Sequence, residues 1–194
     1  WVPGYGPDRS FTIHGLWPDK CDGSFLPSGG CDKTRTHHNI SSIIRTSDKD
    51  LQQWMTKYWP SNRNDNNYFW SHEWNKHGTC VSTLEPRCYG DMYKPRQEIA
   101  EYFNQIRNLY NTFDLYNVLH KHNIVPGASY PRVNMVNAVY KELGLQPRFY
   151  CKKGRLQEVR VWYHVKGLSE YVPAPAFSNH GCPPYITFPE KRRS

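Results

Sequence analysis

The sequence predicts an α+β fold: a single domain of several helices packed on a mainly antiparallel sheet and stabilised by disulfides. Apolar residues in the central part of the chain recur every three or four positions, whereas those after residue 148 alternate with polar ones. The first period is typical of helices and the second of half-buried strands. No repeat and no Gly/Ser-rich linker divides the 194 residues, a length that suits one domain. We therefore interpret 1–194 as one domain that ends in a basic tail at 190–194.

The helical spacing predicts five helices. Their approximate ranges are 51–58, 69–77, 95–113, 115–119 and 131–143. Ser47 suits the N-cap of the first, and Gly78 and Gly144 suit the positions that end the second and the last. In the last helix the side chains expected to face the core are Val133, Val136, Tyr140 and Leu143.

Strands are predicted on both sides of these helices. Residues 11–13 form a short apolar run, and 185–188 form a last strand before the tail. Between them, a strand near 148–151 and an alternating one at 159–166 flank the turn residues Lys153 and Gly154, which predicts a hairpin.

The charge of the chain favours a polyanionic partner. Its 25 Lys and Arg residues outnumber 17 Asp and Glu, so the net charge is +8 and the pI is about 9.2. RNA, DNA and anionic membrane surfaces all fit this charge, as does a merely basic soluble protein. An aromatic content of 15% argues against a disordered chain, and no apolar run reaches the ~18 residues of a membrane span.

Six cysteines indicate an oxidising compartment. They lie at 21, 31, 80, 88, 151 and 182, without the paired C-x-x-C spacing of a zinc site. Disulfides predict a secreted or vacuole-like location, and the sequon at Asn39 agrees with glycosylation on that route. The chain begins with Trp1 and has no leader-like apolar stretch, which predicts a processed or trimmed form.

The segment from His72 to His77 could be a metal site or an acid–base site. Zincins place two histidines four residues apart on one helix face, but these two are five apart and diverge by ~140°. The pairs that lie four apart are His72 with Lys76 and Glu73 with His77, and lysine is not a zinc ligand. We therefore predict no metal and no other cofactor.

Acid–base chemistry explains these pairs better. Glu73 is expected to accept a hydrogen bond from the His77 ring and to favour its protonated form. Lys76 beside His72 places two cationic groups together, which becomes favourable when a phosphate lies between them. With His14, which follows a short apolar run, the chain has an acid, a base and cations, the groups that RNA transphosphorylation requires. The alternative is that these are unrelated members of a set of nine histidines.

Two motifs resemble a known family. Two segments are similar to the two active-site signatures of the ribonuclease T2 family: residues 14–18, HGLWP, and residues 72–80, HEWNKHGTC. The surrounding sequence resembles that of fungal members. The resemblance covers most of the chain. It implies an acid endoribonuclease that needs no metal and cuts single-stranded RNA with low base specificity. The products would be 2′,3′-cyclic phosphates and then 3′-phosphates, and no obligate protein partner is implied.

The resemblance also implies a role for each residue of the two motifs. His77 would be the general base and His14 the general acid. His72 would bind the phosphate, while Glu73 and Lys76 would stabilise the pentacovalent transition state.

Four further residues would bind bases. The resemblance implies a first base site at Trp17, Asp19 and Phe25, and Phe69 is the candidate for a second. Aromatic faces stack on any base, and Asp19 can accept from an exocyclic amine, which favours adenine or cytosine. Each of these aromatic residues could instead pack in the core.

The cysteine pairing is likewise implied by the resemblance. It pairs Cys31 with Cys80 and Cys151 with Cys182. Cys21 and Cys88 would bond to cysteines of a preceding segment that relatives carry, so here they either pair with each other or lack partners.

Two other function classes remain. A metal-dependent hydrolase would lose its activity in excess EDTA. A non-catalytic protein that binds RNA or another polyanion would not need both His14 and His77.

Overall fold

The computed structural model describes residues 1–191, and they fall into two compact units. One unit, the helical unit, consists of Ile13–Asn111 and Gly167–Ser169. The other, the sheet unit, consists of Trp1–Thr12, Thr112–Lys166 and the chain from Glu170 onward. Of the expected tail at 190–194, residues 192–194 lie outside the described part. The description of 1–194 as a single catalytic domain stays a prediction.

The helical unit is built from four helices: α1 (Ile40–Ser47), α2 (Lys49–Tyr58), α3 (Asn66–Lys76) and α4 (Gln97–Thr112, whose last residue belongs to the sheet unit). Short 3-10 turns fill much of the chain between α3 and α4. The core of this unit is strongly aromatic. Its largest fully buried side chains are Trp59, Trp70, Trp74, Tyr102 and Phe103.

Aspartates rather than Ser47 begin two of these helices. The side chain of Asp48 accepts from the amide of Leu51 at the start of α2, and that of Asp65 accepts from the amide of Tyr68 at the start of α3. The predicted N-cap at Ser47 is therefore wrong, because that residue ends α1. Helix α1 was not predicted, because a run rich in Gly, Pro and Asp precedes it.

The sheet unit contains α5 (Leu115–Lys121), α6 (Arg132–Leu143) and six strands. The strands are β1 (Ala128–Pro131), β2 (Arg148–Lys152), β3 (Arg155–Arg160), β4 (Trp162–Lys166), β5 (Glu170–Ala174) and β6 (Tyr185–Phe188). Four of them form a sheet in the order β1-β6-β3-β2, with a parallel contact only between β3 and β6. β4 and β5 form a separate antiparallel pair. The predicted α+β class with a mainly antiparallel sheet is confirmed.

Three details of the prediction are wrong. The alternating run at 159–166 is two strands, because β3 ends at Arg160 and β4 belongs to another sheet. Residues 11–13 form no strand. In α6 two of the four predicted core residues, Val136 and Leu143, pack partly buried against the core, but Val133 and Tyr140 are exposed and the buried residues are Met135, Ala138 and Val139.

Both implied disulfides are present. Cys31–Cys80 lies within the helical unit and Cys151–Cys182 within the sheet unit. Cys21 and Cys88 are exposed free thiols, so the alternative in which they pair with each other is wrong. Within the described residues, no helix is long and apolar enough to cross a membrane.

Candidate active site

The segment that carries His14 is fixed by three hydrogen bonds within the helical unit. The amide of Ile13 donates to the carbonyl of Tyr58 at 2.9 Å, and Trp59 Nε1 donates to the carbonyl of His14 at 2.9 Å. The hydroxyl of Tyr102 donates to the carbonyl of Leu16 at 2.7 Å. The backbone around His14 is thus held by buried aromatic side chains instead of by a sheet.

Gly15 allows this segment to approach α3 closely. A Cβ atom at this position would lie 2.1 Å from Glu73 Oε2 and 2.5 Å from Trp17 Nε1, distances that real Cβ atoms do not adopt. The glycine after His14 is therefore required by the close approach of a buried carboxylate. The sequence shows the glycine but not this reason for it.

Trp17 connects the carboxylate to the histidines. Its Nε1 donates to Glu73 Oε2 at 2.9 Å, and Glu73 is only 1% exposed. Its ring stacks on that of His77, with centroids 5.1 Å apart and planes inclined by 24°. The same ring meets His14 edge to face at 4.7 Å. One indole therefore contacts both predicted proton-transfer residues, while a buried carboxylate sets its orientation.

The electrostatics of the site keep His77 neutral. Burial, together with the positive charges of Lys76, His72 and His14, lowers the pKa of His77 to about 3. Burial, Lys76 and His14 likewise lower the pKa of His72. The expectation that Glu73 favours the protonated form of His77 is therefore wrong in its net effect, because desolvation and neighbouring cations dominate.

This charge distribution suits an anion. Lys76, His72 and His14 lie near His77, and the positive charges around them lower the pKa values of His77 and His72. A phosphate between them would relieve that repulsion and would favour the charged forms of the groups around it. The site can thus hold a phosphodiester while one histidine remains an unprotonated base.

Helix α3 presents three sides. With ~100° per residue, Trp70 and Trp74 lie on one side, and both are fully buried. Phe69, Glu73 and His77 share a second side, and His72 with Lys76 lies at its edge. The remaining side carries Tyr68, Ser71 and Asn75.

The end of α3 is fixed by the loop that carries Cys31. The amide of Cys31 donates to Thr79 Oγ1 at 3.2 Å, and that hydroxyl donates to the carbonyl of Asn75 at 2.9 Å. Gly30, with a φ of +83°, sits so close that a Cβ would lie 2.0 Å from the same carbonyl. The disulfide to Cys80 then links this loop to the turn that directly follows His77.

The predicted base-site residues differ in their surroundings. The ring of Phe69 lies 6.2 Å from that of His14 and 6.3 Å from that of Trp59, so this side chain borders both the site and the core. Asp19 is exposed a short distance along the chain from Trp17. Phe25 is 84% exposed, and in the described part of the chain no aromatic ring packs against it. The structure gathers Trp17 and Phe69 at the histidines but does not bring Phe25 there.

Two residues that position the backbone of the His14 segment were not predicted from the sequence. Trp59 and Tyr102 hold the His14 segment through its carbonyls. Neither residue carried a functional signal in the sequence, because Tyr102 belongs to the predicted helix at 95–113 and Trp59 lies at the end of the predicted helix at 51–58. Among residues 1–191, no cluster of three or more His, Cys, Asp or Glu side chains could hold a metal ion.

Comparisons with known proteins agree on one family. Residues 2–175 match the model of the ribonuclease T2 family. Ribonuclease Rh of Rhizopus niveus is 43% identical over 98% of this chain and 80% of its own length. Ribonuclease T2 of Aspergillus oryzae is 41% identical over 93% of this chain and 67% of its own.

Solved structures give the same likeness. A crystal structure of Actibind, described as a T2 ribonuclease, superposes with a TM-score of 0.89 at 36% identity over 97% of this chain and 83% of that one. A structure of RNase NT in complex with 5′-AMP gives a TM-score of 0.71 at 27% identity over 95% and 85%.

Proposed function

This chain belongs to the ribonuclease T2 family and is an endoribonuclease of the T2 type, and we propose that it cuts single-stranded RNA with His77 as general base and His14 as general acid. The observation that carries the role of His77 is its burial among cations against Trp17. That environment lowers its pKa to about 3, so the ring is unprotonated and can accept a proton. Neither a metal nor another cofactor takes part in the proposal.

The first step is an in-line displacement at phosphorus. His77 removes the proton of the 2′-hydroxyl, whose oxygen bonds to phosphorus as the bond to the 5′-oxygen breaks. His14 gives its proton to that leaving oxygen, and the product is a 2′,3′-cyclic phosphate. His72 and Lys76 stabilise the added charge of the pentacovalent state, because cationic donors act most strongly where charge develops.

The second step reverses the two roles. His14, now neutral, takes a proton from water as the water oxygen attacks phosphorus. His77, now protonated, returns its proton to the 2′-oxygen, and a 3′-phosphate results. Acid and base exchange in this way because both steps pass through the same kind of phosphorane.

Glu73 assists this chemistry by positioning. Its carboxylate accepts from the Trp17 indole, which stacks on the base and contacts the acid. Trp17 is also a candidate face for a substrate base, with Asp19 and Phe25 as the further candidates for the same base and Phe69 as the candidate for the next one. Stacking on aromatic faces tolerates any base, which supports low base specificity.

Alanine substitutions test the roles. His77→Ala and His14→Ala should each lower kcat by about 10²–10⁴-fold, the usual contribution of a proton-transfer residue. His72→Ala should mainly raise KM. His164→Ala removes an exposed histidine of the sheet unit and should leave both constants unchanged. Near-normal turnover by the His77 variant would refute its assignment as the base.

Products and metal dependence test the mechanism as a whole. RNA should be cut to 2′,3′-cyclic ends in excess EDTA, while DNA of the same sequence stays intact because it has no 2′-hydroxyl. Cleavage of DNA, or the direct appearance of 5′-phosphate ends, would exclude transphosphorylation. Loss of activity in EDTA would favour the metal-dependent alternative, and RNA binding without any cleavage would favour the non-catalytic one.

We also propose a secreted or vacuolar location with a glycan on Asn39. Two disulfides support an oxidising compartment. Asn39 is exposed just before α1, and its side chain makes no capping hydrogen bond to the helix. Attachment of a glycan to its side-chain amide would therefore break no helix cap. A mass shift on treatment with an N-glycosidase, lost in Asn39→Gln, would test this.

A further inference from the structure

A recess lies beside the active site, on the side of α3 that carries Tyr68, Ser71 and Asn75. It encloses about 590 Å³ of empty space, part of it open to solvent. Its wall includes Ser28 and His38 in addition to these residues, and it reaches His72 and Lys76. The recess and the active site therefore share two groups on one helix.

The lining of the recess suits a nucleotide. Lys76, His72 and His38 supply groups that can carry positive charge, and no carboxylate lines the recess among the described residues. Tyr68 is 63% exposed and offers an aromatic face. A cationic wall beside an exposed ring is the combination that binds single-stranded nucleic acid, with the phosphate on one and the base on the other.

The recess is also a rigid structure. The Asn75 side chain accepts from the amide of His37 at 2.8 Å and donates to the carbonyl of His37 at 2.9 Å. The loop before α1 is thus tied to α3, so the wall that carries His38 is held in place without a ligand.

One buried polar group in this wall lacks a partner. Ser71 is 5% exposed, and its hydroxyl has no hydrogen-bond partner among the described residues. An unsatisfied buried hydroxyl destabilises a fold, because it has lost its hydrogen bonds to water and gained none. Rotation of the Ser71 side chain about its Cα–Cβ bond would turn this hydroxyl toward the recess, where a polar group of a ligand would supply the missing bond.

We propose that this recess is a third nucleotide subsite, which binds the nucleotide adjacent to the two that flank the scissile phosphate. The proposal rests on the ribonuclease function, and it follows from the continuity of the recess with His72 and Lys76. A longer RNA then gains contacts that a dinucleotide does not make.

Chimeric substrates measure this gain. Each carries a single ribonucleotide, so only one bond can be cut, and 2′-deoxy residues extend it by one nucleotide on either the 5′ or the 3′ side. Stacking on Tyr68 should raise kcat/KM about 5-fold or more for one of the two extensions, relative to the unextended dinucleotide. The ratio of kcat/KM for the extended substrate to kcat/KM for the dinucleotide is determined separately for the wild type and for each variant, so a change in overall activity cancels.

Two variants locate the gain. Tyr68→Ala should bring the ratio close to one, whereas Tyr140→Ala, at an exposed tyrosine of α6, should leave it unchanged. Ser71→Ala should lower the ratio and at the same time raise the Tm of the free enzyme by about 2–4 °C, because the orphan hydroxyl is gone. A purely structural Ser71 would not give this opposite pair of effects.

The same comparison can be made without cleavage by measuring the Kd of fully 2′-deoxy oligonucleotides with and without the extra nucleotide. A failure of the ribonuclease proposal would appear as absence of cleavage, and the subsite would still be tested by these Kd values. The subsite is overturned if extension brings no gain in the wild-type protein, or if the gain survives both Tyr68→Ala and Ser71→Ala.

Discussion

The two disulfides offer a matched pair of perturbations with different expected effects on activity. Cys31–Cys80 closes a loop of 49 residues in the helical unit, and Cys151–Cys182 closes one of 31 residues in the sheet unit. The first adjoins the candidate active site, and the second belongs to the other unit. The double variants C31A/C80A and C151A/C182A therefore separate what a crosslink does for stability from what it does for catalysis.

The two bonds should stabilise the protein to a similar degree. In the chain-entropy model their loops cost the unfolded chain about 14 and about 12 cal/mol/K, or about 4.1 and about 3.7 kcal/mol at 25 °C. The predicted difference in the free energy of unfolding is thus about 0.4 kcal/mol. Urea unfolding followed by tryptophan fluorescence measures both values, and the seven tryptophans provide the signal.

Activity should differ much more. The Cys31 loop holds the end of α3 through the amide of Cys31, the hydroxyl of Thr79 and the carbonyl of Asn75. Without the disulfide, the turn after His77 loses its covalent link to that loop. A displacement of about 1 Å at a reacting group can cost about 10²-fold in rate, so we expect at least a 10-fold loss of kcat/KM in C31A/C80A.

The assay is cleavage of a dinucleoside monophosphate at a temperature where both variants remain folded. C151A/C182A should retain activity within about 2-fold of the wild type, since its bond is confined to the other unit. Equal losses in the two variants would refute the reasoning, because they would show that stability alone governs activity. A fully active C31A/C80A would show that the hydrogen bonds alone position the end of α3.

Two further outcomes follow from the site. Gly15→Ala places a methyl group against Glu73 and Trp17, so it should destabilise the protein by about 1–3 kcal/mol and lower kcat/KM at least 10-fold. Gly29→Ala, whose methyl group meets only the flexible end of a lysine, should change stability by under about 0.5 kcal/mol, and equal behaviour of the two would contradict the close approach. The pH dependence of log(kcat/KM) should be bell-shaped, with an acid limb below pH 5 because the pKa of His77 is about 3 in the free enzyme. Its maximum should lie on the acid side, because His72 binds the phosphate in its charged form and its pKa is lowered as well. An acid limb near pH 6.5 would indicate a base other than His77.

The sequence predicted the elements of the site better than their energetics. Both histidine motifs, the fold class and the two disulfides were identified from the residues or from the family resemblance. The sign of the His77 pKa shift was not, because burial and the nearby Lys76 outweigh a carboxylate four residues away, and burial cannot be read from spacing. The hydrogen bond from Trp17 to Glu73 was also missed, since the two residues are 56 positions apart in the chain.

The same limit explains the errors in the fold. In α6 the predicted Val136 and Leu143 do pack against the core of the sheet unit, but its buried residues are Met135, Ala138 and Val139, and the predicted Val133 and Tyr140 are exposed. A period fixes which residues share a helix face, and only the neighbouring elements decide which face is covered. In the run at 159–166, apolar and polar residues alternate without interruption, although the chain passes from β3 in one sheet to β4 in another. No local pattern in the sequence marks this change of sheet.

Helix α3 has consequences for how this protein can vary. Its tryptophans lie in the core, its histidines serve the chemistry, and its third side borders the recess, so no side of the helix is left as a neutral surface. In an ordinary surface helix, tolerance of substitution rises and falls with each turn. Along residues 68–77 we expect no such periodicity, and substitutions should be poorly tolerated throughout. Changes in base preference or in substrate length would therefore have to arise at exposed positions outside α3, such as Phe25.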